Sequence, residues 1–242
     1  MPRVAVFQHA ANCHPGTLTA HLAADGIEPV VIELDQGQRI PDLEAFDILW
    51  AMGGPMDVWQ EDEHPWLRDE KAAIREWVQV RDKPFLGVCL GHQLLADALG
   101  GEVGPASMGE IDLLDIRLTE AGRSHPIFDG FMPVKRGIGW HGAEVKSLPP
   151  GSKLLASTAD CPIAAFAAGS AAIGLQYHVE ATEQSIVDWS AGEAGAAALQ
   201  RLHPQGYGPV LKQRVIASLP ELIGNSRRLY DNFMRIAMER VS

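Results

Sequence analysis

The chain has 242 residues, which a typical domain size of about 150 residues places between one domain and two. With 20 Lys and Arg against 31 Asp and Glu, the net charge is −11, which excludes non-specific attraction to nucleic acid or an anionic membrane. Hydrophobic residues at 46% and charged residues at 21% exclude a disordered, collagen-like or low-complexity chain.

In chain order, the apolar run after Met1-Pro2 is too short for a signal peptide and reads as a first strand, Arg3–Gln8. Further strands are expected at Pro29–Leu34, Phe46–Met52 and Pro84–Val88. A helix from Thr17 to Ala24 links the first two, and a longer one from Pro65 to Val80 links the third and fourth. The second helix carries Leu67, Ile74, Trp77 and Val78 on one face and Arg68, Asp69, Glu76 and Arg81 on another, the pattern of a helix docked on a sheet. This alternation predicts a parallel α/β sheet.

Past Gly101 the pattern turns to short antiparallel-like strands at Leu113–Leu118, Ala143–Ser147 and Lys153–Ala156. Two more, Ile163–Ala168 and Ala171–Tyr177, flank Gly169-Ser170, a dipeptide suited to a hairpin turn. From Glu183 the composition becomes helical, Pro204 to Pro209 reads as a connector, and Leu229, Tyr230, Phe233, Ile236 and Ala237 mark an amphipathic C-terminal helix. No stretch reaches the ~20 apolar residues of a membrane span. The three cysteines, Cys13, Cys89 and Cys161, form a poor disulfide framework, so a reducing, cytoplasmic setting is expected, in which any thiol that matters does chemistry.

The most informative segment runs Pro84-Phe85-Leu86-Gly87-Val88-Cys89-Leu90-Gly91-His92-Gln93-Leu94-Leu95-Ala96, closed by Gly100-Gly101. An apolar strand enters Gly-x-Cys-x-Gly and a helix follows at once, the cysteine counterpart of a nucleophile elbow. The turn is so tight that side chains at positions 87 and 91 would meet neighbouring backbone. Cys89 would then sit at a helix N-terminus, where free N–H groups favour thiolate and can receive an oxyanion. The bland alternative is a buried cysteine between structural glycines.

In Gly174-Leu175-Gln176-Tyr177-His178-Val179-Glu180, His178 follows a predicted strand and Glu180 lies two residues on. In an extended chain both side chains point the same way. That arrangement suits a carboxylate orienting an imidazole base, although a lone histidine at a strand end is more often structural. Trp50-Ala51-Met52-Gly53-Gly54-Pro55 ends a strand in bare backbone able to aim an N–H at a ligand, or makes an ordinary turn. His9, Cys13 and His14 lack a second cluster with zinc spacing and are expected in the loop after the first strand, with at most a role in substrate access. His64, His125 and His203 adjoin prolines and are expected to face solvent, and Cys161 is expected to be packing.

Taken together and in this order, these segments resemble the class I glutamine amidotransferase family with its Cys-His-Glu triad, and closely the glutaminase domain of GMP synthases. The resemblance extends to Gly139-Trp140-His141-Gly142-Ala143-Glu144-Val145, Leu148-Pro149-Pro150-Gly151 and Cys161-Pro162-Ile163-Ala164-Ala165. It implies a three-layer, flavodoxin-like α/β fold with an open, mostly parallel sheet. Residues 1–182 would form the amidotransferase-like domain and 183–242 a helical extension packed on it.

It also implies roles: Cys89 as nucleophile forming a γ-glutamyl thioester, His178 as its base, and Glu180 orienting His178. The backbone N–H groups of Gly54 and Leu90 would make the oxyanion hole, and Gly53, Gln93, Trp140 and His141 would hold the substrate. No cofactor and no metal is implied. Val179 stands where the family usually has Pro, which leaves the extended spacing of His178 and Glu180 intact, whereas Trp140 and Ala143 replace its usual Ser and Asp, so recognition of the glutamate end is expected to differ. Nothing here resembles a synthetase domain, so either a separate synthetase subunit takes the ammonia or the chain is a free-standing γ-glutamyl peptidase. A non-catalytic binding module is the third reading, which the intact triad disfavours. No nucleic-acid or membrane partner is expected, and the oligomeric state is left open.

Overall fold

In the computed structural model, which describes residues 1–241, the apolar run Val4–Gln8 forms β1 and is buried along its whole length. Its alternation sorts the core: Val4 and Val6 face one side of the sheet, Ala5 and Phe7 the other. Thr17–Ala24 (α1), Val30–Glu33 (β2), Ile48–Ala51 (β3), Trp66–Arg75 (α2), Phe85–Val88 (β4) and Leu90–Ala98 (α3) follow. Then come Glu102–Leu118 (β5), Glu120–Arg123 (α4), Val134–Ser147 (β6), Lys153–Ser157 (β7), Ala165–Ala168 (β8) and Ala172–Leu175 (β9). The chain finishes in helices Glu183–Ala191 (α5), Glu193–Leu202 (α6) and Gly208–Val241 (α7).

The strands form one sheet in the order β2-β1-β3-β4-β9-β8-β7-β5-β6. From β2 to β9 neighbours are parallel, and from β9 to β6 antiparallel. Helices cover both faces of the parallel part. On one side α1 and α7 bury Leu18, Leu22, Leu229, Tyr230 and Phe233 against Val6, Trp50 and Leu86; on the other, α2 and α3 bury Leu67, Ile74, Leu94 and Leu95 against Phe7, Leu49 and Phe85. Each fully buried Leu or Phe contributes roughly 1.5–3 kcal/mol, so this three-layer core holds α7 against the sheet. A third cluster packs Trp189, Leu199, Leu211 and Val215 of α5, α6 and α7 on Ile111, Leu113 and Ile138 of the β5–β6 ribbon.

The chain leaves β1 outward to β2 and returns to β3 on the other side, so the strand order reverses at β1. The crevice outside the carboxyl ends of the strands at such a point is where open α/β sheets bind ligands. Residues following β1, β3, β4 and β9, four mutually adjacent parallel strands, all emerge there.

Three expectations need correction. The segment Pro65–Val80 is α-helical only to Arg75 and then makes a π-helical turn over Glu76–Val80, where Trp77 Nε1 donates to the Pro84 carbonyl at 2.8 Å. The strand expected at Ala143–Ser147 is the end of a much longer one, β6. Its first half is disguised by Gly137 and Gly139, which stand where a side chain would strike Tyr177, Ile116 or Leu114. The C-terminal helix starts at Gly208, inside the expected connector, and runs through Pro220, because Leu211, Val215 and Leu222 of its first half are buried on the β5–β6 ribbon.

Candidate active site

Cys89 sits between β4 and α3 with φ 53° and ψ −102°, a left-handed conformation that a non-glycine residue adopts only under constraint. The constraint is close backbone packing. A Cβ on Gly87 would lie 2.4 Å from the Gly91 carbonyl oxygen, and one on Gly91 would lie 2.0 Å from that of Ala51. The Cys89 amide donates to the Leu175 carbonyl at 2.8 Å and the Gly91 amide to that of Met52 at 3.1 Å, tying the elbow to β9 and β3. Leu90, between them, lines the cleft with Gly54 and Cys89.

His178 is held from both ends. Its backbone bridges to Ile138 of β6, with its amide donating to the Ile138 carbonyl at 2.8 Å, and its Nδ1 lies 2.6 Å from Glu180 Oε1. The ring sits beside Cys89, both side chains packing on Gly53, close enough for charge on Cys89 to act on it. Burial by itself lowers the His178 pKa, but the charges of Glu180 and Cys89 and the hydrogen bonds to both outweigh it and hold the imidazole well above its usual range. Glu180 is in turn fixed through its backbone, whose carbonyl accepts from the Thr17 amide at 2.9 Å at the start of α1. The extended spacing seen in the sequence thus brings Cys89, His178 and Glu180 into one chain of contacts.

Gly53 lies directly over this pair: a Cβ there would meet His178 Cε1 at 3.2 Å and Cys89 Cβ at 3.6 Å. Trp140 contributes its carbonyl, which faces Cys89 Sγ at 3.7 Å, while its indole packs edge-on to Trp189. Gln93 reaches the cleft, but its amide donates to the Ala143 carbonyl and to Gln176 Oε1, both at 3.1 Å. The His141 side chain is committed to Nδ1–Ala143 carbonyl and Nε2–Glu110 contacts, each at 3.0 Å, at the edge of the cleft it helps line.

Among the described residues, Glu110, His141 and Cys161 place donor atoms within 4.8 Å of one another, the spacing of a metal site. Their hydrogen bonds already satisfy much of this group, since Glu110 also accepts from Thr158 Oγ1 at 2.6 Å, and it reads as scaffold beneath the cleft. His9, Cys13 and His14 do not converge: His9 bonds to Gly53 and Glu70, and His14 Nδ1 accepts from the Gly16 amide. The expectation that His64, His125 and His203 face solvent is corrected, because all three are half-buried. His203 Nε2 sits 3.0 Å from the Ile111 carbonyl and His125 caps Ile127, and the adjoining prolines lie at element boundaries: Pro65 and Pro126 at the start of helical turns, Pro204 just past the end of α6.

Three contributors escaped the sequence reading. Gln176 shares the face of His178 and Glu180, and its Nε2 points at Cys89 Sγ from 3.8 Å; the period of two in that segment was the available signal. Trp189 of α5 packs on the His178 ring at 4.5 Å between centroids, and Arg201 of α6 reaches the rim. No local pattern connects either to the elbow. Together these groups enclose a cleft of about 520 Å³ walled by Asp57, Trp140, Trp189, Glu193 and Arg201.

Known proteins resemble this chain in sequence and in fold. The family described as Glutamine amidotransferase class-I matches residues 16–186. The glutamine-hydrolyzing GMP synthase of Thermomicrobium roseum is 32% identical over 194 residues, covering 69% of this chain and 34% of that protein. A protein of Sulfolobus acidocaldarius, named as one subunit of a glutamine-hydrolyzing GMP synthase, is 32% identical over 164 residues, covering 66% of this chain and 81% of the relative. The match to the Thermomicrobium protein thus spans about a third of that relative's length. In fold, the chain superposes on the crystal structure of a glutamine amidotransferase from Thermotoga maritima with a TM-score of 0.85 at 24% identity, covering 98% of both chains. The chain belongs to the class I glutamine amidotransferase family.

Proposed function

We propose that this protein is a glutamine amidotransferase-type amidohydrolase that releases ammonia from the side-chain amide of glutamine. In this reading Cys89 Sγ attacks the carboxamide carbon after giving its proton to His178, and Glu180 stabilises the imidazolium. The amide N–H groups of Gly54 and Leu90 receive the oxyanion, while Gly53, Gln93 and the backbone at Trp140 and His141 line the glutamate end. The C–N bond breaks, His178 returns its proton to the departing ammonia, and a γ-glutamyl thioester remains. Water activated by His178 then cleaves the thioester to glutamate. The observation that carries the reading is the run of contacts from Glu180 through His178 to Cys89, at a strained elbow opening into a cleft.

Residues 183–242 are proposed to work as one unit with the preceding domain, since Trp189 and Arg201 wall the cleft. The Sulfolobus relative, by its name one part of a multi-chain GMP synthase, supports a reading in which ammonia passes to a separate synthetase chain. A second reading, a free-standing γ-glutamyl hydrolase, is favoured by the size of the cleft. At about 520 Å³ it falls in the range that takes ligands larger than an amino acid, and Arg201 is the one Lys or Arg among the described residues lining it. Glutamate release should be measured from glutamine and from γ-glutamyl dipeptides, with Cys89→Ala as control. Release undiminished in the variant refutes the nucleophile, and release from dipeptides alone selects the hydrolase. Silence on both, with Cys89 still modified by a glutamine-like diazoketone, selects the partner-dependent reading.

A further inference from the structure

The oxyanion hole proposed above depends on which way one peptide faces. Gly53 and Gly54 are both glycine, so their backbone has the freedom to rotate that peptide, and a rotated peptide would present a carbonyl where a donor is needed. All peptide bonds described are trans, so the Gly53 carbonyl and the Gly54 N–H, which share one peptide plane, point in opposite directions. Whatever holds the carbonyl therefore aims the amide.

The carbonyl is held by His9, the residue that follows β1. His9 Nδ1 lies 3.0 Å from the Gly53 oxygen, and its Nε2 lies 2.9 and 3.1 Å from the two oxygens of Glu70 on α2. His9 and Glu70 are fully buried, and the imidazole stacks on Trp66 of the same helix, with centroids 5.5 Å apart and planes 10° from parallel. The Gly53 carbonyl can only accept, so His9 Nδ1 carries a proton and donates to it, while Nε2 shares a hydrogen bond with the Glu70 carboxyl. In agreement, burial lowers the His9 pKa but Glu70, by charge and hydrogen bond, together with the Gly53 and Met52 carbonyls, raises it above the usual value. A buried His–Glu pair costs folding free energy unless its polar atoms are all bonded, and here the bonding ends on the backbone of the site.

We propose that His9, braced by Glu70, is a positioning residue that locks the Gly53–Gly54 peptide with its amide turned to the reacting carbonyl. The inference rests on the function proposed above and adds two residues to it. His9 touches neither sulfur nor substrate; it acts only through the peptide.

The test compares two double variants, chosen so that neither leaves Glu70 buried without a partner. His9→Phe/Glu70→Leu keeps a ring against Trp66 but removes the donor to Gly53. His9→Asn/Glu70→Leu places an amide N–H where Nδ1 was. Hydrolysis of γ-glutamyl p-nitroanilide requires an oxyanion, whereas alkylation of Cys89 by iodoacetamide does not. In the Phe variant kcat should fall by about ten- to a hundredfold, since a misaimed donor forfeits part of the 10²–10³-fold that an oxyanion contact supplies, with KM within about threefold. Alkylation should stay within about twofold of wild type, and the Asn variant should recover to within about fivefold in kcat, since it restores the one N–H donor the argument requires. A Phe variant within about threefold of wild type in kcat overturns the proposal, as does an Asn variant no faster than the Phe variant. If the Phe variant does not fold, His9→Leu/Glu70→Leu, which likewise lacks the donor to Gly53, takes its place on the same criteria. A wild-type protein that is alkylated by iodoacetamide yet neither releases p-nitroaniline nor is modified by a glutamine-like diazoketone marks failure of the proposed function itself, which the control separates from failure of the His9 assignment. Where the diazoketone still modifies a silent wild type, the variants are compared by the rate of that modification on the same criteria.

Discussion

Gly91→Ala puts a single methyl group at the tightest contact of the turn around Cys89, and its consequences follow from the distances there. The new Cβ would lie 2.0 Å from the Ala51 oxygen, 2.6 Å from its carbonyl carbon and 2.9 Å from its Cβ. Reaching 3.0 Å, below which Cβ contacts are essentially never found, needs about 1 Å of movement between α3 and the end of β3. No flexible side chain stands in the way to yield, because the obstacle is strand backbone. Alanine gains up to about 1 kcal/mol over glycine inside a helix. Overpacking against rigid neighbours costs about 1–3 kcal/mol, and a backbone obstacle belongs at the upper end. The net expectation is a loss of about 2 kcal/mol in urea denaturation. A displacement of about 1 Å at a reacting atom costs about a hundredfold in rate, so turnover should fall by that order. Gly224→Ala in α7 is the matched control: nothing lies within 4 Å of its Cβ, so the propensity term acts alone and the variant should gain up to about 1 kcal/mol. A Gly91→Ala protein within about 0.5 kcal/mol of wild type and within about twofold in turnover would refute the reasoning, because surface-like tolerance has no place at such a contact.

The Cys13 and Cys161 thiols are both pushed up to about 12 by burial, so at pH 8 they are protonated and iodoacetamide should add one label per chain, at Cys89. Mass spectrometry of wild type and Cys89→Ala checks this, and a labelled variant contradicts it. The raised pKa of His178 means that the native state keeps a proton which the unfolded chain, near pKa 6.5, gives up. The stabilisation from its pairing with Glu180 is therefore complete below about pH 6.5 and lost as pH rises through the native value. The stability gap between wild type and Glu180→Gln should be widest near pH 6 and shrink towards pH 9; a gap constant with pH would show that the pair does not titrate as described. If the cleft takes γ-glutamyl peptides, Arg201→Ala should raise KM for a γ-glutamyl dipeptide by about tenfold, the worth of one exposed charge-assisted hydrogen bond, and leave that for glutamine within about twofold. Equal effects on the two substrates would place Arg201 at the shared glutamate end instead.

How much was legible depended on how far along the chain the cause lay. The strand preceding Cys89, the elbow glycines and the His178–Glu180 spacing are set by residues within a few positions of one another, through strand period and turn sterics, and the structure returns them with their expected geometry. The hairpin at Gly169-Ser170 is local in the same sense, joining β8 to β9 as antiparallel neighbours. The first half of β6 was hidden because Gly137 and Gly139 look like turn residues until Tyr177 and Leu114 are seen packed over them. The same holds for the site's supports. His9 meets Gly53 across 44 residues and Glu70 across 61, and Trp189 meets His178 only because α5 folds back over the end of β9. By itself, then, the sequence determined the alternation of strands and helices, the elbow at Cys89 and the spacing of His178 and Glu180, all of which follow from short-range sterics and periodicity. The order of strands in the sheet, the brace behind the Gly53–Gly54 peptide and the helical wall of the cleft were decided by tertiary structure, because each is a contact between distant segments that only burial of the shared core brings together.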